Sequence, residues 1–239
     1  MGAQWKHAPR LAASNKRGAL IGKLVKEITV AAKVGGPVPD SNPRLWVALE
    51  AARKQSVPRD TIDRALKRGA GLTDENIQYE LVVYEGFAPH KVPVIVECLT
   101  DNRNRTAPDI RNLFKKGQMG APGSVAWMFD HYGMVEATHA DKSLDLETVA
   151  IEAGAQQVET LDHDVPEGHV GARFYCDRTD LDKVAKYLKD QKWSVTTSEM
   201  SYVAKNFIEL DEVQKKEVSD FLHDIDEHDD VHRVYAAIK

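Results

Sequence analysis

The chain is poor in the residues and patterns that mark catalytic, metal-binding and membrane proteins. Its only two cysteines, Cys98 and Cys176, form no CxxC pair, so neither a disulfide framework nor a cysteine zinc site is expected. The longest apolar stretches, such as 92–96, are far shorter than the roughly 20 residues that cross a bilayer. The Walker, GxGxxG, GxSxG and HExxH patterns are missing too. We therefore expect a cytoplasmic protein that is not an enzyme, with no cofactor, no metal, no catalytic residue and no membrane partner.

The acidic and basic residues are unevenly distributed along the 239 residues. The net charge is -5, but residues 1–72 carry 14 Lys and Arg against five Asp and Glu, and the remainder is strongly acidic. No acidic residue precedes Glu27. Such asymmetry indicates an arm or domain that contacts a polyanion. A basic, acid-poor start is also typical of a mitochondrial transit peptide, which we keep as an alternative.

The periodicity of apolar residues predicts three helices in the basic part. From Leu20 to Ala32 the apolar residues recur on one helical face, and Gly35-Gly36-Pro37 ends that helix. Asn42-Pro43 is typical of a helix start, and Pro58 opens a third helix that ends near residues 69–71. These patterns predict a basic helical domain over residues 1–75.

The patterns that follow predict strands and a helix. Strands are expected at 77–84, 92–99 and 125–129, with a turn at 84–89. Thr106 and Asp109 have the spacing of a capping box, so a helix is expected to begin there.

The order of elements in the distal part indicates an α+β fold with an insertion. From 132 to 203 the patterns read strand, helix, strand, strand, helix, strand, which is the order of a ferredoxin-like βαββαβ unit. A last helix and strand, 213–225 and 231–237, could return to the sheet that begins near 77. We therefore predict a central α/β domain, 76–131 and 204–239, that is interrupted by an inserted ferredoxin-like domain, 132–203.

The candidate nucleic-acid contacts are cations and one aromatic residue. Each Lys or Arg beside a phosphate releases counterions, which gives salt-sensitive and sequence-tolerant affinity, and a tryptophan in a basic arm can stack on a base. Two arginines of the central part lie between a strand and a helix N-terminus, a pattern typical of an anion site. The full set is Trp5, Lys6, Arg10, Lys16, Arg17, Lys23, Lys26, Arg103 and Arg105.

Each of these candidates has a structural alternative. The basic helices could simply present a solvated face, and Arg103 and Arg105 could pair with Asp101 or Glu85. Carboxylates from the distal half that already neutralise the N-terminal cations would contradict the phosphate-binding hypothesis.

Two other groups of titratable residues were weighed. His228 and His232 have i,i+4 spacing and could hold a metal if helical, but the surrounding acids favour a solvated acidic face. Glu85 and Glu97 could form an acid/base pair only if a cleft raised the pKa of one of them.

Several strings of residues, taken together, resemble the YebC family. The resemblance covers nearly the whole chain, and the strings appear in the expected order. They are Asn42-Pro43-Arg44-Leu45, 58–65, Tyr84-Glu85-Gly86-Phe87, 101–106, Gly123-Ser124-Val125-Ala126 with Phe129, and 229–235. One departure is the opening Gly2-Ala3-Gln4-Trp5-Lys6, where the family usually has Gly-His-Ser-Lys-Trp and a denser basic run.

The resemblance implies a three-domain protein in which the basic N-terminal region contacts nucleic acid and no enzymatic activity is established. Bacterial members are usually described as probable transcriptional regulators. The mitochondrial relative activates translation, and other members are linked to the ribosome and to relief of stalling at proline runs. These properties are expectations for this chain.

We accordingly expect a gene-expression regulator that binds DNA through its basic N-terminal domain. A ribosome- or RNA-associated translation factor is the first alternative, and a protein-interaction module without nucleic acid is the second. The sequence shows neither a recognition helix nor an RRM signature that would decide between DNA and RNA. It also shows no dimer face, so a monomer is expected.

Overall fold

The computed structural model describes residues 7–73, 78–162 and 164–238, with side chains from Arg17 onward. Three helices come first: α1 (His7–Gly35), α2 (Pro43–Lys54) and α3 (Arg59–Gly69). They share an apolar core that includes Ile28, Leu45 and Leu49. Their apolar stripes are the ones that the periodicity predicts, so burial of those stripes explains why the three helices pack together.

The predicted helix starts are confirmed. The side chain of Asn42 accepts a hydrogen bond from the Leu45 N–H, and Pro43 is the first residue of α2. Pro58 caps α3. These starts could be predicted because a polar cap and a first-turn proline act locally.

A four-stranded antiparallel sheet follows in the chain. Its elements are β1 (Glu80–Ala88), β2 (Val92–Thr100), α4 (Arg103–Leu113), β3 (Gln118–Met119), α7 (Glu212–Asp226) and β8 (Val231–Ala236). The strand order is β3-β1-β2-β8, and β8 pairs with β2, so the last strand returns to this sheet as predicted. Helices α4 and α7 cover one face through a core that includes Val96, Ile110 and Phe221.

Three local predictions for this sheet are wrong. The segment 84–88 is strand, not turn, because every residue in it pairs with β2. Helix α4 begins three residues before Thr106, with Asn102 as its cap. The residues expected as a strand at 125–129 form a short 3-10 turn, Ala126–Met128.

A second four-stranded antiparallel sheet is built from the elements that lie between β3 and α7 in the chain. They are β4 (Phe129–His139), α5 (Leu146–Ala153), β5 (Gln157–Thr160), β6 (Val170–Cys176), α6 (Leu181–Asp190) and β7 (Ser194–Ala204). The strand order, β5-β6-β4-β7, is the one expected for a split βαβ unit. The core of this part includes Phe174, Leu188 and Trp193.

The first and last strands of this second sheet, β4 and β7, run past the predicted limits of 132 and 203. Phe129 at the start of β4 lies opposite Ala204 at the end of β7, and the Lys205 N–H donates to the Met128 carbonyl at 2.9 Å. The fold is thus mixed α+β with two antiparallel sheets. Its division into three domains stays a prediction.

None of the helices in the described ranges combines the length and the apolar content that a bilayer span requires. Helix α1 has 29 residues, but Lys23, Lys26 and Lys33 interrupt its apolar run.

Candidate nucleic-acid interface

The predicted N-terminal contacts differ in how much of them can be described. Trp5 and Lys6 lie outside the described residues, and Arg10 and Lys16 are placed in α1 by their backbone only. Arg17 is exposed, and it has no ion-pair partner among the residues that the structure describes. Of the predicted N-terminal set up to residue 17, only the Arg17 side chain can be assessed, and it is available to a ligand.

Lys23 and Lys26 do not present free ammonium groups, which contradicts the expectation that they face solvent. Lys23 donates to the Asp226 carbonyl. Lys26 Nζ donates to the Asp230 carboxylate at 2.6 Å and to the Asp229 carbonyl at 3.0 Å. The reason is that α1 is buried on two sides, with α2 and α3 on one and the turn between α7 and β8 on the other. These two lysines therefore attach α1 to the first sheet.

Asp230 is the centre of a network that also occupies Arg105. The carboxylate is 3% exposed. It accepts hydrogen bonds from Thr106 at 2.7 Å and from Arg105 Nη2 at 3.0 and 3.2 Å. Burial raises the pKa of Asp230, but the hydrogen bonds from Lys26, Thr106 and Arg105 outweigh it and lower the pKa to about 2. Arg105 also pairs with Asp101 at 3.0 Å, so the structural alternative for Arg105 is confirmed.

The N-terminus of α4 is not open to an anion. The Asn102 side chain already accepts the N–H groups of Asn104 and Arg105. Arg103 and Arg105 are two residues apart in a helix, so they point to nearly opposite sides of it. Arg103 is 63% exposed, and its only ion-pair neighbour in the described chain is Glu80 at 3.8 Å. The two arginines thus have different environments.

The three helices keep other cations on their outer surface. Arg64 and Lys67 lie on the outer side of α3, opposite the buried Ile62 and Ala65. Within the described ranges, five exposed cations of these helices have no carboxylate partner: Arg17, Lys33, Lys54, Arg64 and Lys67. Four of them were not singled out from the sequence, although the amphipathic pattern of each helix is the signal that finds them.

A half-buried charged cluster joins the helices to both sheets. Arg44 on α2 donates to Glu27 on α1 at 2.7 and 3.2 Å, and His232 on β8 lies 3.2 Å from Glu27. Beside it, Arg233 Nε donates to Glu199 of β7 at 2.9 Å. Burial lowers the pKa of His232 to about 4. We interpret this cluster as a structural junction because its charges are matched internally.

The metal alternative for His228 and His232 is not supported. His228 precedes β8 and lies 3.5 Å from Asp109, whereas His232 is within the strand and faces Glu27. They are therefore not on one helical face. Among the described residues, no group of three or more His, Cys, Asp or Glu is arranged to hold a metal ion.

Glu85 and Glu97 lie on the same face of the first sheet, but their pKa values shift in opposite directions. Burial raises the pKa of Glu97 to about 7. Glu85 accepts the N–H groups of Gly123, Val125 and Ala126 at 2.6, 2.8 and 2.8 Å. These hydrogen bonds outweigh the effect of burial and lower the pKa of Glu85. Glu85 therefore holds a loop in place, and it is not positioned as one member of an acid/base pair.

Comparison with known proteins covers both parts of the chain. Residues 3–72 match the model of the TACO1/YebC protein N-terminal domain, and residues 79–238 match that of the TACO1/YebC second and third domain. A probable transcriptional regulatory protein of Pseudomonas fluorescens is 49% identical over 240 residues, which covers 100% of this chain and 99% of that one. Another probable transcriptional regulatory protein, from Bdellovibrio bacteriovorus, is 48% identical over 240 residues, which covers 100% of each chain.

A solved structure has a similar fold. It is the crystal structure of a conserved hypothetical protein from Aquifex aeolicus, with a TM-score of 0.76 and 36% sequence identity. The match covers 94% of this chain and 90% of that one. The similarity therefore extends over the helices and both sheets.

Proposed function

Because the chain belongs to the TACO1/YebC family, we propose that it is a gene-expression regulator that binds DNA through the exposed cations of its three N-terminal helices. The names of its relatives support a role in transcription. In this proposal the chain has three domains: the helical one, a central one built on the first sheet, and an insertion that runs from Phe129 to Ala204.

One observation carries the proposal, namely that the cations of the helices fall into two classes. Lys23 and Lys26 pair with the carboxylates of Asp226 and Asp230, at 3.5 and 2.6 Å. Arg17, Lys33, Lys54, Arg64 and Lys67 are exposed and have no carboxylate partner in the described chain. Unmatched cations attract phosphates, while matched ones would first have to give up their carboxylates. The binding surface is therefore assigned to the second class.

The test is a charge deletion on α2 and α3. The triple variant Lys54→Ala, Arg64→Ala and Lys67→Ala changes only exposed side chains, so it should fold like the parent protein. Binding to a labelled duplex DNA of about 20 base pairs is followed by fluorescence anisotropy from about 50 to 300 mM KCl. We expect the negative slope of log K against log salt to become less steep by about 2 to 3, since each lost duplex phosphate contact removes about 0.9 from its magnitude.

The matched control removes three exposed cations from the turn between β4 and α5 and from α6, through Lys142→Ala, Lys183→Ala and Lys186→Ala. This control should keep the slope of the parent protein. An unchanged slope in the α2–α3 variant would contradict the proposal. Crosslinking in cells followed by sequencing then identifies the target. Promoter DNA agrees with the proposal, and ribosomal RNA would replace it with the translation alternative.

A further inference from the structure

A groove runs along the free edge of β1, beside α4. Strand β3 pairs only with Gly86 and Phe87, and the Gly120 N–H extends this pairing to the Glu85 carbonyl at 2.8 Å. In the described part of the chain, residues 80–84 have no strand beside them on this edge. Helix α4 forms one wall and the segment 119–122 closes one end, which leaves a cavity of about 830 Å³.

Two arginines of α4 line this groove. Arg103 and Arg111 are eight residues apart, so with Ala107 they form one face of the helix. Both are exposed. Arg111 has no carboxylate partner among the described residues, and the nearest carboxylate to Arg103 is the exposed Glu80 at 3.8 Å. Arg105 lies on the opposite side of the same helix, where Asp230 neutralises it. On the groove side, Arg111 carries a charge that no described carboxylate matches.

Tyr84 of β1 lines the same groove as the two arginines. Burial raises the pKa of Tyr84, and the positive charges of Arg103 and Arg111 oppose that rise.

Most of the remaining lining is apolar, and it includes Val82, Ala107, Met119, Ala121 and Pro122. The other polar side chains are those of Tyr84, Asn104 and Glu85, and both oxygens of the Glu85 carboxylate already accept loop N–H groups. Two cations can hold a phosphate by paired hydrogen bonds, and an apolar surface of this kind can accept the flat face of a base. A simple inorganic anion would use only the first of these features.

We propose that this groove binds a nucleoside phosphate, with the phosphate on Arg103 and Arg111 and the base against Met119 and Pro122. The nucleoside phosphate is either a unit of a single-stranded nucleic acid or a free nucleotide. If the ligand is a single-stranded nucleic acid, the inference rests on the proposed function. The groove would then be a second nucleic-acid contact, separate from the duplex-binding helices.

The experiment uses the full chain and two probes, a labelled oligouridine of about 20 nucleotides and AMP. The variant Arg103→Gln and Arg111→Gln is compared with the control Lys183→Gln and Lys186→Gln, which makes the same change of charge on α6. We expect the groove variant to bind oligouridine at least about fivefold more weakly. The slope of log K against log salt should become less steep by about 0.7, since the two arginines share one phosphate and each single-strand phosphate contact contributes about 0.7. The control should match the parent protein, and duplex binding should be the same in all three.

The possible outcomes separate this inference from the function proposed for the helices. Loss of AMP binding in the groove variant, with oligouridine binding unchanged, supports a free nucleotide as the ligand. AMP binding by a parent protein that binds no duplex supports the groove and contradicts the helix proposal. If the groove variant binds both probes like the parent, or the parent binds neither, the groove assignment is wrong even if duplex binding stands.

Discussion

Replacing Asp230 by asparagine keeps the shape of the side chain and removes the charge at the centre of a buried network. Asp230 accepts from Lys26, Arg105 and Thr106 at 2.6 to 3.2 Å and is 3% exposed. Asparagine brings an NH2 group that faces these donors. Two cations would then lose their shared carboxylate, and α1 would lose an attachment to the first sheet.

The pKa of Asp230 gives the size of the effect. A fall from 3.8 to about 2 corresponds to about 2 kcal/mol of folding stability at neutral pH. Because the pKa falls on folding, this contribution is complete above the pKa of the unfolded chain and is lost as the pH falls through about 2. By pH 3 about 1 kcal/mol of it has gone. Unpaired cations add to the cost, so we expect a total loss of about 2 to 4 kcal/mol at pH 7.

Urea unfolding followed by circular dichroism measures this difference for the parent protein and Asp230→Asn at pH 7 and pH 3. The gap between the two proteins should shrink by about 1 kcal/mol at the lower pH. Asp226→Asn is the control, because its carboxylate is 60% exposed and an exposed ion pair contributes about 1 kcal/mol or less. A gap that is equal at both pH values would refute the reasoning.

Three further substitutions test other parts of the structure. Glu97→Gln should raise the free energy of unfolding by about 2 to 3 kcal/mol at pH 8 and have little effect at pH 4. The reason is that ionisation of the buried Glu97 above its pKa of about 7 opposes folding. Urea unfolding at both pH values checks this. Glu85→Ala should speed hydrogen exchange of the loop amides that Glu85 binds, by about tenfold or more, whereas unchanged exchange would show that the loop does not need the carboxylate. Gly69→Ala should lower the melting temperature, since its new Cβ would lie 2.7 Å from the Ala32 Cβ. Gly22→Ala should raise the melting temperature, because its new Cβ would have no described atom within 4 Å. Equal effects of the two substitutions would contradict the close contact of α1 and α3.

Local signals predicted the helices and the buried strands. Asn42-Pro43 and Pro58 set helix starts through contacts within a few residues, and β2 is a continuous buried run. The error at 84–89 has a tertiary cause, because pairing with β2 overrides the turn preference of the Gly86 and Pro89 region. At α4 the capping-box spacing was misleading. The Thr106 hydroxyl lies inside the helix and binds Thr100 and Asp230.

The candidate nucleic-acid contacts were harder to predict, because the number of charged residues in a segment does not show where their side chains lie in the fold. Lys23 and Lys26 meet Asp226 and Asp230 across about 200 residues of sequence, and no local pattern reveals such a pairing. Arg103 and Arg105 looked equivalent because the helix start was misplaced. With the start at Asn102, helical geometry alone separates the arginine that faces the groove from the one that faces Asp230.

The hydrogen bond between Met128 and Lys205 has a consequence for how the gene could change. The polypeptide departs from the first sheet and rejoins it at neighbouring backbone positions, about 5 Å apart as in any antiparallel pair. A tight hairpin of a few residues would bridge that gap. One recombination event could therefore add or delete the intervening module without rerouting the final strand. Such a deletion would uncover Ile95, which Phe129 and its neighbours shield, so the shortened chain would need new polar residues there.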